Sequence, residues 1–151
     1  MGGMALLDPR GDRPWYRFYE PGVPRTIAFP THPIYGFLDQ SARKYPNNIA
    51  LIQVGPKFDR RITYARLDDL SDRFARSLIQ RGLRPGDRVA VILPNCPQFV
   101  IAAFGIWKAG GVLVQVNPLY KGRDLVFNLK DSGARFAVVL SRLYKDLHDV
   151  L

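Results

Sequence analysis

The 151-residue chain is 47% hydrophobic and 23% charged, enough for one domain that buries roughly 70% of its unfolded surface, and this excludes a disordered polypeptide. No apolar run approaches the roughly 20 residues of a membrane-spanning helix, and the opening residues lack the charged, apolar and small-residue zones of a secretory leader. The formal charge of +9 raises nucleic acid or an anionic membrane as partners. The cations, however, are scattered singly or in pairs among aspartates, as in Arg66, Asp68, Asp69, Asp72, Arg73 and Arg76; that pattern predicts a solvated helix face and no nucleic-acid partner.

Met1-Gly2-Gly3-Met4 is set aside as a cloning scar or an alternative start. Residues 8–33 are rich in proline and hold Trp15, Tyr16, Phe18 and Tyr19 close together. They predict an extended arm, neither helix nor strand, whose aromatic rings pack on another surface. From Pro33 the pattern turns helical, with Ile34, Phe37, Leu38, Ala42 and Tyr45 at i, i+3, i+4 spacing, and Pro46-Asn47-Asn48 stops it. Ala50–Val54 and Arg60–Thr63 predict a hairpin around Gly55-Pro56-Lys57. Thr63 then caps a helix whose stripe is Leu67, Leu70, Phe74 and Leu78, with Gly82 placed to close it.

The chain is organised around Arg88–Asn95. Pro85-Gly86-Asp87 makes a turn into it, and five apolar residues after Arg88 predict a strand buried on both faces. Pro94 ends the strand, and Asn95 is expected to cap a helix over about 96–109 with Pro97 in its first turn. Lys108, at the end of that helix, is expected to face its dipole. A strand at Val112–Val116, a helix over about 122–131 closed by Gly133, a strand at Phe136–Leu140 and a last helix from near Ser141 follow. Strands alternating with helices over short loops predict an α/β fold of parallel βαβ units. The chain stops at Val150-Leu151 without a terminal signal, so a piece of a longer protein is expected.

Composition offers little catalytic equipment. Cys96 is the single cysteine, which excludes an internal disulfide and fits a reducing compartment. His32 and His148 are distant from it in sequence, so neither a nucleophile–base pair nor a metal site is expected. Twelve aspartates accompany a single glutamate, Glu20. Gly110-Gly111 and Gly133 match no phosphate-binding fingerprint. Two loops stand where open α/β sheets bind ligands, beyond the carboxyl ends of parallel strands: Pro94–Gln98 and Asn117-Pro118-Leu119-Tyr120-Lys121.

An ordered set of short motifs then carries a resemblance. Thr63-Tyr64, Gly86-Asp87-Arg88-Val89-Ala90, Leu93-Pro94-Asn95, Phe104-Gly105, Lys108-Ala109-Gly110, Asn117-Pro118-Leu119-Tyr120 and Asp131-Ser132-Gly133-Ala134 together resemble the opening of acyl-CoA synthetases in the adenylate-forming superfamily. Pro14-Trp15 followed by Pro21-Gly22-Val23-Pro24 is similar to the start of bacterial long-chain fatty acid–CoA ligases. The resemblance implies an arm over 1–32 and an incomplete α/β N-terminal subdomain over 33–151. It also implies the chemistry of the whole enzyme: fatty acid and ATP give an acyl-adenylate and pyrophosphate with Mg²⁺, and CoA then gives acyl-CoA and AMP. The phosphate loop, adenine and metal residues and the mobile lysine of the family lie further along, so no catalytic residue, metal ligand or bound cofactor is expected here.

What the resemblance leaves to this chain is the CoA side: Asn117, Pro118, Leu119 and Tyr120, with Arg142 and Lys145 as contacts for phosphates. Two departures from the family stand out. Arg66 occupies the position where a glutamate would close a capping box on Thr63, and Asp124 replaces a glutamate near a helix start. The expectation is therefore the N-terminal segment of a cytoplasmic long-chain fatty acid–CoA ligase, inactive alone. Peripheral contact with the inner face of the membrane through the arm, and a homodimer, are kept as candidates. The rival readings are a segment of a short-chain or aryl-acid-activating enzyme and a free-standing basic binding module.

Overall fold

In the computed structural model, which describes residues 13–26, 29–55, 58–144 and 148, the hub is the strand β3 (Arg88–Ile92). Its Val89, Ala90 and Val91 are fully buried, and Ile92 nearly so. Two later strands, β4 (Val112–Gln115) and β5 (Phe136–Val139), flank it in the order β4-β3-β5, both parallel to it. The register pairs Arg88 with Val112 on one side and Val89 with Phe136 on the other. The parallel pairing expected from the alternation of strands and helices is therefore what the chain adopts.

Because side chains alternate across a strand, β3 serves two cores. Val89, Val91 and Leu93 face one way, onto α2 (Tyr64–Gln80) and α3 (Pro97–Lys108) through Ala75, Leu78 and Ile106. Ala90 and Ile92 face the other way, onto Leu125 and Leu129 of α4 (Gly122–Ser132). This three-layer arrangement explains why the strand reads as an unbroken apolar run. Each fully buried Val or Ile contributes about 1.5–3 kcal/mol.

Preceding these layers, α1 (Gly36–Lys44) leads into the antiparallel hairpin of β1 (Ile49–Gly55) and β2 (Phe58–Thr63). Leu38, Ile62 and Leu67 form a third core cluster with Val100, Ile101 and Phe104 of α3. Only Leu38 and Ala42 of the predicted α1 stripe are buried; Ile34, Phe37 and Tyr45 are exposed.

Helix ends follow the sequence signals with one correction. The Thr63 hydroxyl accepts from the Arg66 amide at 3.2 Å, half of a capping box. Gly82 closes α2 at φ +90°, its amide and that of Leu83 donating to the carbonyls of Ile79 and Leu78. Gly133, at φ +60°, closes α4. The cap of α3 is Cys96 and not Asn95. Pro97 forces the residue before it into extended backbone, and Cys96 sits at φ −150°, ψ 162°.

The chain divides into two compact units, Met1–Pro33 and Ile34–Leu151. In the first, Pro14–Phe18 forms a 3-10 helix, which corrects the expectation of a wholly extended arm. Pro14 supplies the helical φ of the first turn, while Arg13 before it is extended. Arginines sit over the arm's rings: Arg13 over Trp15 at 5.0 Å, Arg17 over Phe18 at 4.7 Å and Arg25 over Tyr16 at 5.2 Å. Trp15, Phe18 and Tyr19 are exposed on this chain. Near the C-terminus, Ser141–Leu143 is a 3-10 turn and Tyr144 continues with helical dihedrals; the rest of the last predicted helix lies, apart from His148, outside the described residues.

Candidate functional site

All three parallel strands deliver their carboxyl ends to one edge of the sheet, and two clefts open there on either side of Leu93-Pro94. Between the ends of β3 and β4 lies a cleft of about 540 Å³ lined by Asn95, Gln115, Asn117, Pro118, Tyr120 and Asn128 as well as Leu93 and Pro94. Its rim is shaped by Asn117. The side-chain oxygen of Asn117 accepts from the Leu119 amide at 3.0 Å, and its carbonyl accepts from the Tyr120 amide at 3.1 Å. This turn leaves the Asn117 carboxamide N–H without a partner among the described residues. Asn128 donates to the Asp124 carbonyl at 2.8 Å, leaving its own oxygen to accept. Leu119 is 80% exposed and lies outside the cleft.

Between the ends of β3 and β5 lies a larger cleft of about 720 Å³. Phe74 of α2, Ile101 and Ala102 of α3, and Val138–Leu140 form its apolar walls; Gln53, Gln98, Ser141 and Arg142 are its polar members. The predicted set of site residues is therefore divided: Asn117, Pro118 and Tyr120 share one cleft, Arg142 lines the other, and Lys145 lies outside the described residues.

A polar cluster that local sequence signals do not reveal lies between the helices. Lys108, whose side chain is only 10% exposed, extends from the end of α3 to three carboxylates: Asp68 at 2.5 Å, Asp72 at 2.6 Å and Asp39 at 3.0 Å. Asp68 and Asp72 are one turn apart on α2, and Asp39 is on α1. Burial opposes the ammonium charge, but the hydrogen bonds to Asp68, Asp72 and Asp39 outweigh it and raise the Lys108 pKa above the ordinary lysine value. Lys108 thus ties α1, α2 and α3 together, a role beyond the dipole partner expected. The predicted solvated face of α2 is correct only in part. Asp69 pairs with Arg66 and Arg73 at the surface, while Asp68 and Asp72 turn toward Lys108.

At the opposite edge of the sheet, Asp87 accepts from the Arg84 amide at 2.8 Å and from the Arg135 guanidinium at 3.0 Å. The backbone hydrogen bond from Arg84, and after it the Arg135 contact, hold its pKa below the usual carboxylate value. Arg88 donates to the Gly133 carbonyl at 3.2 Å, anchoring the end of α4. Both contacts fix the frame and are remote from the clefts. Among the described residues, no three His, Cys, Asp or Glu side chains converge to hold a metal.

This architecture has known counterparts. The N-terminal domain of FACL13 from Mycobacterium tuberculosis aligns with 79% of this chain and 30% of its own length, with a TM-score of 0.71 and 31% identity. The long-chain-fatty-acid–CoA ligase of Bacillus subtilis is 36% identical over 137 residues, covering 89% of this chain and 23% of the ligase. The corresponding ligase of Escherichia coli O6:H1 is 36% identical over 139 residues, covering 91% of this chain and 24% of the ligase. The chain thus spans about a quarter of the length of the curated relatives it matches. Its α/β fold matches a part, 30%, of the FACL13 N-terminal domain. Residues 38–150 match the model of the AMP-binding enzyme family, and the chain belongs to that family.

Proposed function

We propose that the chain is the opening part of an ATP-dependent long-chain fatty acid–CoA ligase and that it is inactive alone. The observation that carries this reading is the 36% identity held over 137 residues with the Bacillus ligase. In the whole enzyme, ATP would convert the fatty carboxylate to an acyl-adenylate with release of pyrophosphate, and the CoA thiol would then displace AMP. As the resemblance implies, ATP and Mg²⁺ are assigned to residues further along the whole enzyme, and no step is built on them here. Asn117, Pro118 and Tyr120 are assigned to the CoA side, where the carboxamide N–H of Asn117 can donate to an amide or phosphate oxygen. Leu119 is a flanking candidate on that side; Arg142, in the neighbouring cleft, and Lys145, outside the described residues, are kept as candidate contacts for CoA phosphates.

A cytoplasmic location, with peripheral contact between the exposed aromatic rings of the arm and an anionic bilayer, completes the reading. Self-association through the arm or the free edge of β5 is the competing use of the same apolar surface. Co-sedimentation with anionic vesicles should fall when the chain is started near Pro30, and a clean monomer in sedimentation velocity at high concentration would remove the homodimer. The ligase reading itself is tested by ATP–pyrophosphate exchange with palmitate. The 151-residue chain should give none, whereas the protein expressed with the coding sequence downstream of Leu151 should exchange. Exchange by the short chain, or its absence in the extended protein, refutes the proposal.

A further inference from the structure

α1 is held to its unit more lightly than the helices it lies against. It has nine residues, too few for a helix to persist alone in water, so it depends on what it packs on. Leu38 and Ala42 are its only buried residues, against four in α2 and five in α3. Tyr35 before it provides no side-chain cap, whereas Thr63 caps α2. Leu38 clusters with Ile62 and Leu67, and Ile101 and Phe104 of α3 pack against them.

Beyond its C-terminal end the chain is pinned. The Pro46 and Asn48 carbonyls accept from the amides of Ala65 and Tyr64, at 3.1 and 3.0 Å, where α2 begins. These bonds make Pro46–Asn48 a fixed point about which α1 can turn. The helix itself is tied by a charge. Asp39 Oδ1 stands 3.0 Å from Lys108 Nζ, while Asp68 and Asp72 hold the same nitrogen at 2.5 and 2.6 Å. Three carboxylates sharing one ammonium also repel one another. Neutralising Asp39 therefore leaves Lys108 with two carboxylate partners, both on α2, and relieves that repulsion. The α2–α3 frame keeps its ion pairs, and the loss falls on α1.

We propose that α1 is a strap that opens on its own about Pro46–Asn48, with the contact of Asp39 on Lys108 as its latch. Opening withdraws Leu38 and bares the apolar patch of Ile62, Leu67, Ile101 and Phe104, while the core around β3 stays closed. Lys108 then plays two unequal parts: through Asp68 and Asp72 it joins α3 to α2 lastingly, and through Asp39 it joins α1 reversibly. Segments with few buried contacts open locally, below the cost of global unfolding, and this is the regime assigned to α1.

The test is hydrogen–deuterium exchange of the 151-residue chain, read separately on peptides from α1, α2 and α3. In the wild type, α1 amides should be less protected than those of α2 and α3 by about tenfold or more. Asp39→Asn should lower protection in α1 by about a further tenfold, the size expected of one partly shielded charge contact, and leave α2 and α3 unchanged. Asp39 also lies in the first turn of α1, where a negative charge favours the helix dipole. Asp39→Asn combined with Gln40→Glu returns a carboxylate to the next, exposed position and should not restore protection. Circular dichroism and thermal melting establish that each variant is folded. Equal protection of α1 and α2 in the wild type would overturn the proposal, since α1 would then open only with the whole unit. An unchanged α1 in Asp39→Asn, a parallel loss in all three helices, or recovery with Gln40→Glu would overturn it as well.

Discussion

Replacing Lys108 with methionine should be among the most damaging single substitutions available in this chain. The methionine keeps most of the apolar stem but removes the ammonium from three carboxylates at 2.5, 2.6 and 3.0 Å. Removing one partner of a fully buried ion pair costs about 3–5 kcal/mol, because charge is left without compensation. Asp39, Asp68 and Asp72 are 31%, 28% and 45% exposed, so water recovers part of that loss. A cost of about 2–4 kcal/mol follows once solvent screening is allowed for. At roughly 2–4 °C per kcal/mol for a chain of this size, Tm should fall by roughly 5–15 °C. Lys108→Arg should recover only part, since a planar fork does not replace a compact donor facing three acceptors. The raised pKa of Lys108 gives the pH dependence its sign: its contribution is full below the unfolded value of about 10.4 and is lost only as pH rises through the higher folded value. Urea denaturation at neutral pH and at pH near 9 is the assay. A loss below about 1 kcal/mol for Lys108→Met would be the figure for a surface pair and would refute the three-helix clamp.

Gly105 lies where α3 touches α2, and a Cβ there would stand 2.7 Å from Phe74 Cδ1 and 2.9 Å from the Ser71 carbonyl oxygen. Gly105→Ala should therefore destabilise by about 1–3 kcal/mol despite alanine's better helix propensity, as read by thermal melting. Asp87→Asn should lower Tm at neutral pH, and the difference from wild type should shrink as pH falls through the depressed pKa of Asp87, because its stabilisation exists only while the carboxylate is charged. Thr63→Ala, which removes the acceptor of the Arg66 amide, should cost about 1 kcal/mol in chemical denaturation.

The elements themselves were legible because each carries its own local signal: the apolar run of β3, the Thr63 cap, and the glycines that close α2 and α4. The misassigned α3 cap had a signal too, since the residue preceding Pro97 is driven to extended backbone and so becomes the cap. The short 3-10 helix of the arm lay in Pro14 by the same logic. Lys108 is different. Its partners are 36 and 40 residues away on α2 and further still on α1, and an aspartate facing solvent and one facing a buried ammonium look alike until the helices pack. The resemblance implies Arg142 as a phosphate contact on the same side as Asn117, but β5 joins the far side of β3 and carries Arg142 to another cleft. That placement is a property of topology which no local spacing encodes.

The same topology has a consequence for synthesis on the ribosome. β3 cannot acquire its second neighbour until Phe136 has emerged, 47 residues after its partner Val89. At about 5–20 residues per second, that interval is roughly 2–9 s, far longer than a helix or hairpin needs to form. The β1–β2 hairpin and α2 can be in place by then, but Val89–Leu93 must wait with one ladder of hydrogen bonds open and apolar side chains on both faces. A nascent chain in that interval presents a short, uncharged, strand-prone segment, which is the kind of sequence that chaperones hold and that aggregates recruit. Arg88 immediately before the segment and Pro94 immediately after it, a charge and a ladder breaker, bracket it as gatekeepers throughout that wait.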